Sequence, residues 1–382
     1  MPALLRPRMS DWTVVVPVLA VLLLLLTWNR ELPGLLVAVV AAFLAGAVLA
    51  AVHHAEVVAH KVGEPYGSLV LAVAVTVIEV ALIVTLMISG GDKTQALARD
   101  TVFAAVMITC NGILGLSLLL GALRRRVAVF NPEGTGGALA TVATLATLSL
   151  VVPTFTTSKT GPEFSPAQLA FAAVASLALY GLFVMVQTGR HRDYFLPVTG
   201  DGSVPDSDGS TPAPAGSAPD SDGDGHADPP STRTAVTSLV LLLVALVAVV
   251  GDAKTVSPTI EAGVAAANLP QAFVGVVIAL LVLLPETLAA ARAARRDRVQ
   301  ISLNLALGSA MASIGLTIPA IALASIWLDG PLLLGLGGTQ LTLLALTVVT
   351  GVLTVVPGRA TVLQGGVHLV LLAAFVFLAA SP

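Results

Sequence analysis

Two glutamates stand where acidic residues are rarely found. Glu79 lies within the apolar run 67–89 and Glu286 within 273–292, each several residues in from the polar end of a stretch long enough to cross a bilayer. A carboxylate inside a span costs about 2.5–3.5 kcal/mol on insertion scales, so it is kept for ion or proton handling unless it snorkels to an interface or serves as a structural hydrogen-bonding group. Carboxylates, amide carbonyls and hydroxyls are hard oxygen ligands, suited to Ca2+, Na+ or Mg2+ and not to soft metals. Around the two glutamates the sequence supplies Thr76, Asn111, Ser302, Asn304 and Ser309 as lining for an ion path. Gln300, Asn304 and Gly308 recur at i, i+4, i+8, a polar stripe that lipid would not tolerate and that should face the interior. Competition between H+ and a cation for the same two carboxylates is itself an exchange mechanism.

The surroundings of the two glutamates repeat. After Glu79 comes Arg99-Asp100-Thr101-Val102, with Asn111-Gly112 nine residues beyond Val102; after Glu286 comes Arg296-Asp297-Arg298-Val299, with Gly308-Ser309 at the same spacing. Gly134 to Gly137 opens a Thr-rich span ending at Pro153, and Gly335 to Gly338 opens another ending at Pro357. These echoes define an internal repeat. A second polar cluster, His53, Glu56 and His60, shares one helix face at i, i+3, i+7. That spacing is a candidate transition-metal site, with an interfacial amphipathic helix or a pH-sensing group as the plainer readings. His368 lies within the last span.

Elements able to position these residues follow from composition. Hydrophobic residues make up 56% of the chain and charged ones 11%, too little polar surface for a soluble domain of this length. The class is an all-α polytopic membrane protein. Eleven spans are expected at 12–28, 32–52, 66–89, 101–122, 137–157, 166–187, 234–251, 268–291, 300–326, 331–356 and 360–380, the first retained as an anchor and not cleaved. With the N-terminus in the cytoplasm, fourteen Lys and Arg fall inside and five outside, as the positive-inside rule requires, and the C-terminus is external.

Residues 199–232 are Asp, Gly, Ser, Pro and Thr with almost nothing apolar, which reads as an acidic disordered cytoplasmic linker. Asp220, Asp222 and Asp224 match the first half of a Ca2+-binding loop, but Ser231 replaces the Glu that would close it, so the stretch reads as a spacer. The organisation is an extra N-terminal helix (1–31), a first five-helix repeat (32–198), the linker (199–232) and a second five-helix repeat (233–382). An odd number of helices per unit inverts the second unit, which brings Glu79 and Glu286 together near the bilayer midplane. The single cysteine, Cys110, allows no internal disulfide. No phosphate loop or soluble domain is present in the sequence, so neither nucleotide nor nucleic acid is an expected partner, no cofactor is implied, and a gradient must supply the energy.

Residues 63–83, 281–319 and 362–377, together with Tyr180, Phe183, Gln187, His191 and Phe195, resemble the Ca2+/H+ antiporters of the cation/Ca2+ exchanger superfamily, in their bacterial ChaA type. The resemblance covers nearly the whole chain outside the linker. It implies eleven spans, two inverted repeats and one central acidic residue in each, by position Glu79 and Glu286, that binds cation or proton in turn. Many eukaryotic-type relatives carry Gly-Asn shortly before each glutamate; here Thr76-Val-Ile and Leu283-Leu-Pro stand there. The expectation is a secondary transporter exchanging Ca2+ for H+, not an enzyme, in a prokaryotic-type plasma membrane. Na+(K+)/H+ exchange at the same site is the alternative, since ChaA-type members are also associated with those ions.

Overall fold

The structure is a computed structural model that describes residues 12–28, 30, 32–63, 66–90, 94–189, 191–196, 230–327 and 330–382. The spacer 199–229 with Asp220, Asp222 and Asp224, and the Arg6, Arg8, Lys93 and Arg190 of the charge count, lie outside these residues. Eleven helices follow in order: α1 Trp12–Thr27, α2 Gly34–Val62, α3 Tyr66–Gly90, α4 Leu97–Arg125, α5 Pro132–Phe155, α6 Pro166–Thr188, α7 Thr232–Ala266, α8 Phe273–Arg295, α9 Val299–Ala324, α10 Gly338–Val355 and α11 Val362–Ala380. Among the described residues ten are long and apolar enough to cross a bilayer, and α1 adds a shorter apolar helix of sixteen residues. Large apolar side chains point outward all around the bundle, among them Leu35, Phe171, Val174, Leu353 and Val370. In water that surface would be untenable; against lipid tails it costs nothing.

Helix ends follow local chemistry more than polarity. α2 runs ten residues past the expected end at 52 and stops at Gly63, whose φ of 76° a residue with a Cβ adopts poorly. α7 continues through Asp252 to Ala266, because a buried carboxylate does not by itself break a backbone ladder. α10 starts at Gly338, not at 331. The chain before it is extended, and Gly335 and Leu336 donate to the Pro162 and Leu150 carbonyls at 2.9 Å each. Side-chain caps fix several starts: Asn131 Oδ1 accepts from the Gly134 amide at 3.0 Å ahead of Pro132, and Ser165 with Gln168 forms a capping box. Within α4, residues Ile108–Ile113 form a π turn, and within α5 so do Thr147–Val151.

The packing interlocks the two halves. α3 lies against α9, and α8 against α4, so each glutamate-bearing helix packs on the helix that follows its counterpart. One buried cluster around Phe103, Leu118, Leu283, Leu303 and Leu307 fills that crossing. A second, around Leu44, Val48, Ile78 and Val249, joins α2, α3 and α7. His54 reinforces the second: Nε2 donates to the Thr13 carbonyl at 2.9 Å, and the other ring nitrogen meets Ser238 Oγ at 3.4 Å. Two short strands, β1 Ala128–Val129 and β2 Arg359–Ala360, pair antiparallel and tie the α4–α5 turn to the α10–α11 turn.

Candidate functional site

Glu79 is 2% exposed in the middle of α3. One carboxylate oxygen, Oε2, accepts from Ser313 Oγ on α9 at 3.0 Å; the other, Oε1, has no partner among the described residues. Thr317 lies one turn further along the same face of α9, its hydroxyl close to the carboxylate but short of a hydrogen bond. Glu286, 9% exposed on α8, follows Pro285, which has no N–H to give the Leu281 carbonyl one turn back. Its Oε2 is likewise buried without a partner, and the two carboxylates are near enough to interact electrostatically.

A cavity of about 360 Å³ reaches Glu286 and the Ser313 that donates to Glu79, and is lined also by Thr76, Ser309, Asn304, Tyr180, Phe183 and Gln187. Thr76 shares the inner face of α3 with Glu79, three residues away, and Gly308 leaves open space beside it on α9. Asn304 lines the cavity nearer the start of α9. Its amide donates to the Phe195 carbonyl at 2.6 Å, while its oxygen accepts from Gln300 at 2.8 Å, and Gln300 in turn accepts from the Asn131 amide at 2.6 Å. The polar stripe on α9 therefore faces inward, as its spacing predicts. A buried acceptor oxygen without a donor costs about 1–3 kcal/mol. Two of them, one on each carboxylate, suit a proton or a hard cation as the missing partner.

Two residues expected on the ion path are used elsewhere. Asn111 lies in the π turn of α4, donates to Thr347 Oγ1 at 2.9 Å and meets His368 Nδ1 at 3.1 Å, while His368 Nε2 meets Thr354 Oγ1 at 3.1 Å. This network joins α4, α10 and α11, and none of its members lines the cavity. Ser302 donates to the Ala290 carbonyl at 2.8 Å and contacts Ser117, tying α9 to α8 and α4. The metal expectation at His53, Glu56 and His60 needs correction. All three are exposed on α2, and no three His, Cys, Asp or Glu among the described residues come together to hold a metal. The first and last of them are about 10 Å apart along the axis, seven residues at 1.5 Å each, too far for one ion. Glu56 instead lies within electrostatic reach of Arg292 and Glu286.

Sequence reading missed Ser313 and Thr317. Their signal is present as Ser309, Ser313 and Thr317 at i, i+4, i+8, a hydroxyl ladder in an otherwise apolar helix. Ser313→Ala should raise the cation concentration for half-maximal flux about ten- to a hundredfold, the value of one hydrogen bond to a charged acceptor at about 1.5–3 kcal/mol. A titration of cation-driven flux on the variant checks this.

The sodium/calcium exchanger protein family matches residues 32–189 and again residues 237–380. The chain belongs to that family. This exchanger is 44% identical over 374 residues to y4hA of Sinorhizobium fredii, an ionic transporter by name, covering 97% of this chain and 96% of the relative. It is 33% identical over 373 residues to the sodium-potassium/proton antiporter ChaA of Escherichia coli, with the same coverage. Its fold is similar to that of native YfkE (TM-score 0.67, 15% identity, 98% of this chain and 99% of that one). It is also similar to the H+/Ca2+ exchanger CAX (TM-score 0.65, 16% identity, 97% and 94%). The exchanger is thus an integral membrane cation antiporter of the cation/Ca2+ exchanger superfamily.

Proposed function

We propose that this antiporter exchanges Ca2+ for H+ by alternating access at the site formed by Glu79 and Glu286. What supports the reading is the pair of buried carboxylates, delivered by helices from opposite halves and each left with an unpartnered oxygen, with Glu286 and the Ser313 that donates to Glu79 both lining one cavity. A cation with 6–8 oxygen ligands could draw on both carboxylates, the hydroxyls of Thr76, Ser309 and Ser313, and water in the cavity. Protonation of the same oxygens expels it, which couples the two ions without a further energy source.

The cavity extends from Glu286 to Gln187, Ile301 and Asn304, at the end of α6 and the start of α9, the side that the Lys and Arg count assigns to the cytoplasm. On that orientation the exchanger faces inward. The boundaries 1–31, 32–198 and 233–382 remain our division of the chain into an added helix and two repeats.

Na+(K+)/H+ exchange is the second reading, favoured by the likeness to the sodium-potassium/proton antiporter of Escherichia coli. Proton flux into proteoliposomes, titrated separately with Ca2+, Na+, K+ and Mg2+, tests both. Micromolar Ca2+ should drive flux, with the monovalent ions far weaker. Flux driven by Na+ or K+ and indifferent to Ca2+ would reverse the order, and cation passage without proton movement would overturn antiport altogether.

A further inference from the structure

We infer that a second cavity, at the opposite end of the bundle from the first, is the outward half of the exchange path, and that Asp100 is the carboxylate that meets the cation there. The inference rests on the exchange reading above. This cavity, of about 230 Å³, is lined by Asp100 and Phe103 of α4, Val276 of α8, Gln340 of α10, and Phe375 and Ala379 of α11. It touches α8 at Val276, whereas the first cavity touches α8 at Glu286. Ten residues at 1.5 Å each place Val276 about 15 Å along the helix from Glu286, toward the other end of the bundle.

The two cavities are built from corresponding elements. α3, α6 and α9, with Glu286 of α8, wall the first; α8, α11 and α4, the counterparts of those three in the other repeat, wall the second together with α10. The match reaches single residues: Ser176-Leu-Ala-Leu-Tyr-Gly-Leu-Phe183-Val and His368-Leu-Val-Leu-Leu-Ala-Ala-Phe375-Val share their spacing, and each phenylalanine lines its own cavity. What differs is closure. On α9, Gly308 faces open space, whereas on α4 a Cβ at Gly112 would lie 3.0 Å from Leu372 and one at Gly115 would lie 2.7 Å from His368 Cβ. α11 thus presses onto α4 at Gly112 and Gly115, whereas α6 closes on α9 only further along, at Gly315, where a Cβ would lie 2.7 Å from Tyr180 Cβ, and leaves Gly308 open.

The closed interval keeps polar atoms that nothing satisfies. Thr101 Oγ1, one residue into α4 from Asp100, and Thr317 Oγ1, one turn beyond Ser313, are fully buried without partners among the described residues. Thr109 and Thr287 show the ordinary alternative, donating to the carbonyl four residues back at 2.7 Å. Unsatisfied hydroxyls lying toward both ends of this interval fit a route that is wet in the other conformation. At its mouth Asp100 is 7% exposed, and both its named contacts, Arg99 Nε at 2.8 Å and Gln340 Nε2 at 3.4 Å, fall on Oδ1. The second oxygen takes part in neither. A hard cation such as Ca2+ or Na+ is the chemistry this carboxylate suits.

The test uses the full-length protein in vesicles of both orientations. Asp100→Asn should raise the half-maximal Ca2+ concentration about fivefold when Ca2+ is added on the Asp100 side, and leave it unchanged from the other side. Ala379→Cys, treated with a membrane-impermeant thiol reagent, should lose exchange from the Asp100 side only, and Ca2+ should slow that loss. Native Cys110 is 2% exposed and supplies a silent background. A purely structural Asp100 would weaken flux equally from both sides. That result, or an Ala379→Cys protein that is labelled without losing exchange or whose labelling Ca2+ does not slow, overturns the inference while leaving exchange at the glutamates intact. Absence of exchange in the unmodified protein overturns both.

Discussion

Glu79→Gln and Glu286→Gln should each cut cation-driven proton flux at least about a hundredfold, while the protein still inserts and purifies normally. Gln keeps the size of Glu and can satisfy Ser313 through its carbonyl oxygen, so packing around α3 and α9 survives. What it cannot do is neutralise a cation or give up a proton, and losing one charged partner at a buried site costs about 3–5 kcal/mol. The Asp variants should fall between, because one methylene less draws the carboxylate back by over ~1 Å, beyond the tolerance of a metal site. Flux in proteoliposomes is the measurement. Clear exchange by both Gln variants, with an unchanged pH profile, would sink the two-carboxylate site.

Gly365→Ala should lower stability by about 1–3 kcal/mol, the usual cost of overpacking, and Gly365→Leu should prevent proper assembly. A Cβ at Gly365 would stand 2.7 Å from the Leu119 amide nitrogen, 2.9 Å from its Cα and 3.0 Å from the Gly115 carbonyl. Those are backbone atoms and cannot rotate away. α11 would have to lift from α4, stretching the contacts of His368 with Asn111 and Thr354. Gly366→Ala is the control, since a Cβ there meets nothing within 4 Å. Thermal unfolding in detergent should separate the two alanine variants, and equal midpoints would show that the α4–α11 approach is softer than its geometry indicates.

The two glutamates were legible because an ionisable group in an apolar run is conspicuous in one dimension. Their partners were not. Ser313 and Thr317 are small hydroxyls of a kind that many apolar helices carry, and only the packing of α9 on α3 aims them at Glu79. Asn111 and Ser302 show the converse. A polar residue in a span announces that it needs a partner but not which one, and here the partners are His368, Thr347 and the Ala290 carbonyl. The helices themselves could be read from hydrophobic runs, whereas their ends at Gly63, Ala266 and Gly338 depend on backbone geometry and loop contacts that polarity does not encode. His53, Glu56 and His60 illustrate a further limit, since a shared helix face brings residues into line without bringing them within reach of one ion.

The hydrogen bond from Ser313 to Glu79 joins residues 234 positions apart. On a ribosome working at about 5–20 residues per second, that separation corresponds to roughly 10–50 s. During that delay the nascent first half carries Glu79 without the hydroxyl that later receives it, and without the walls of α8 and α9. The newborn chain must therefore hold a carboxylate in an unfinished setting, at the bilayer margin or in the shelter of the insertion machinery, until the second half arrives. Slowing synthesis between α6 and α9 lengthens that exposure, so the yield of intact exchanger should depend on elongation rate even when the finished protein is stable.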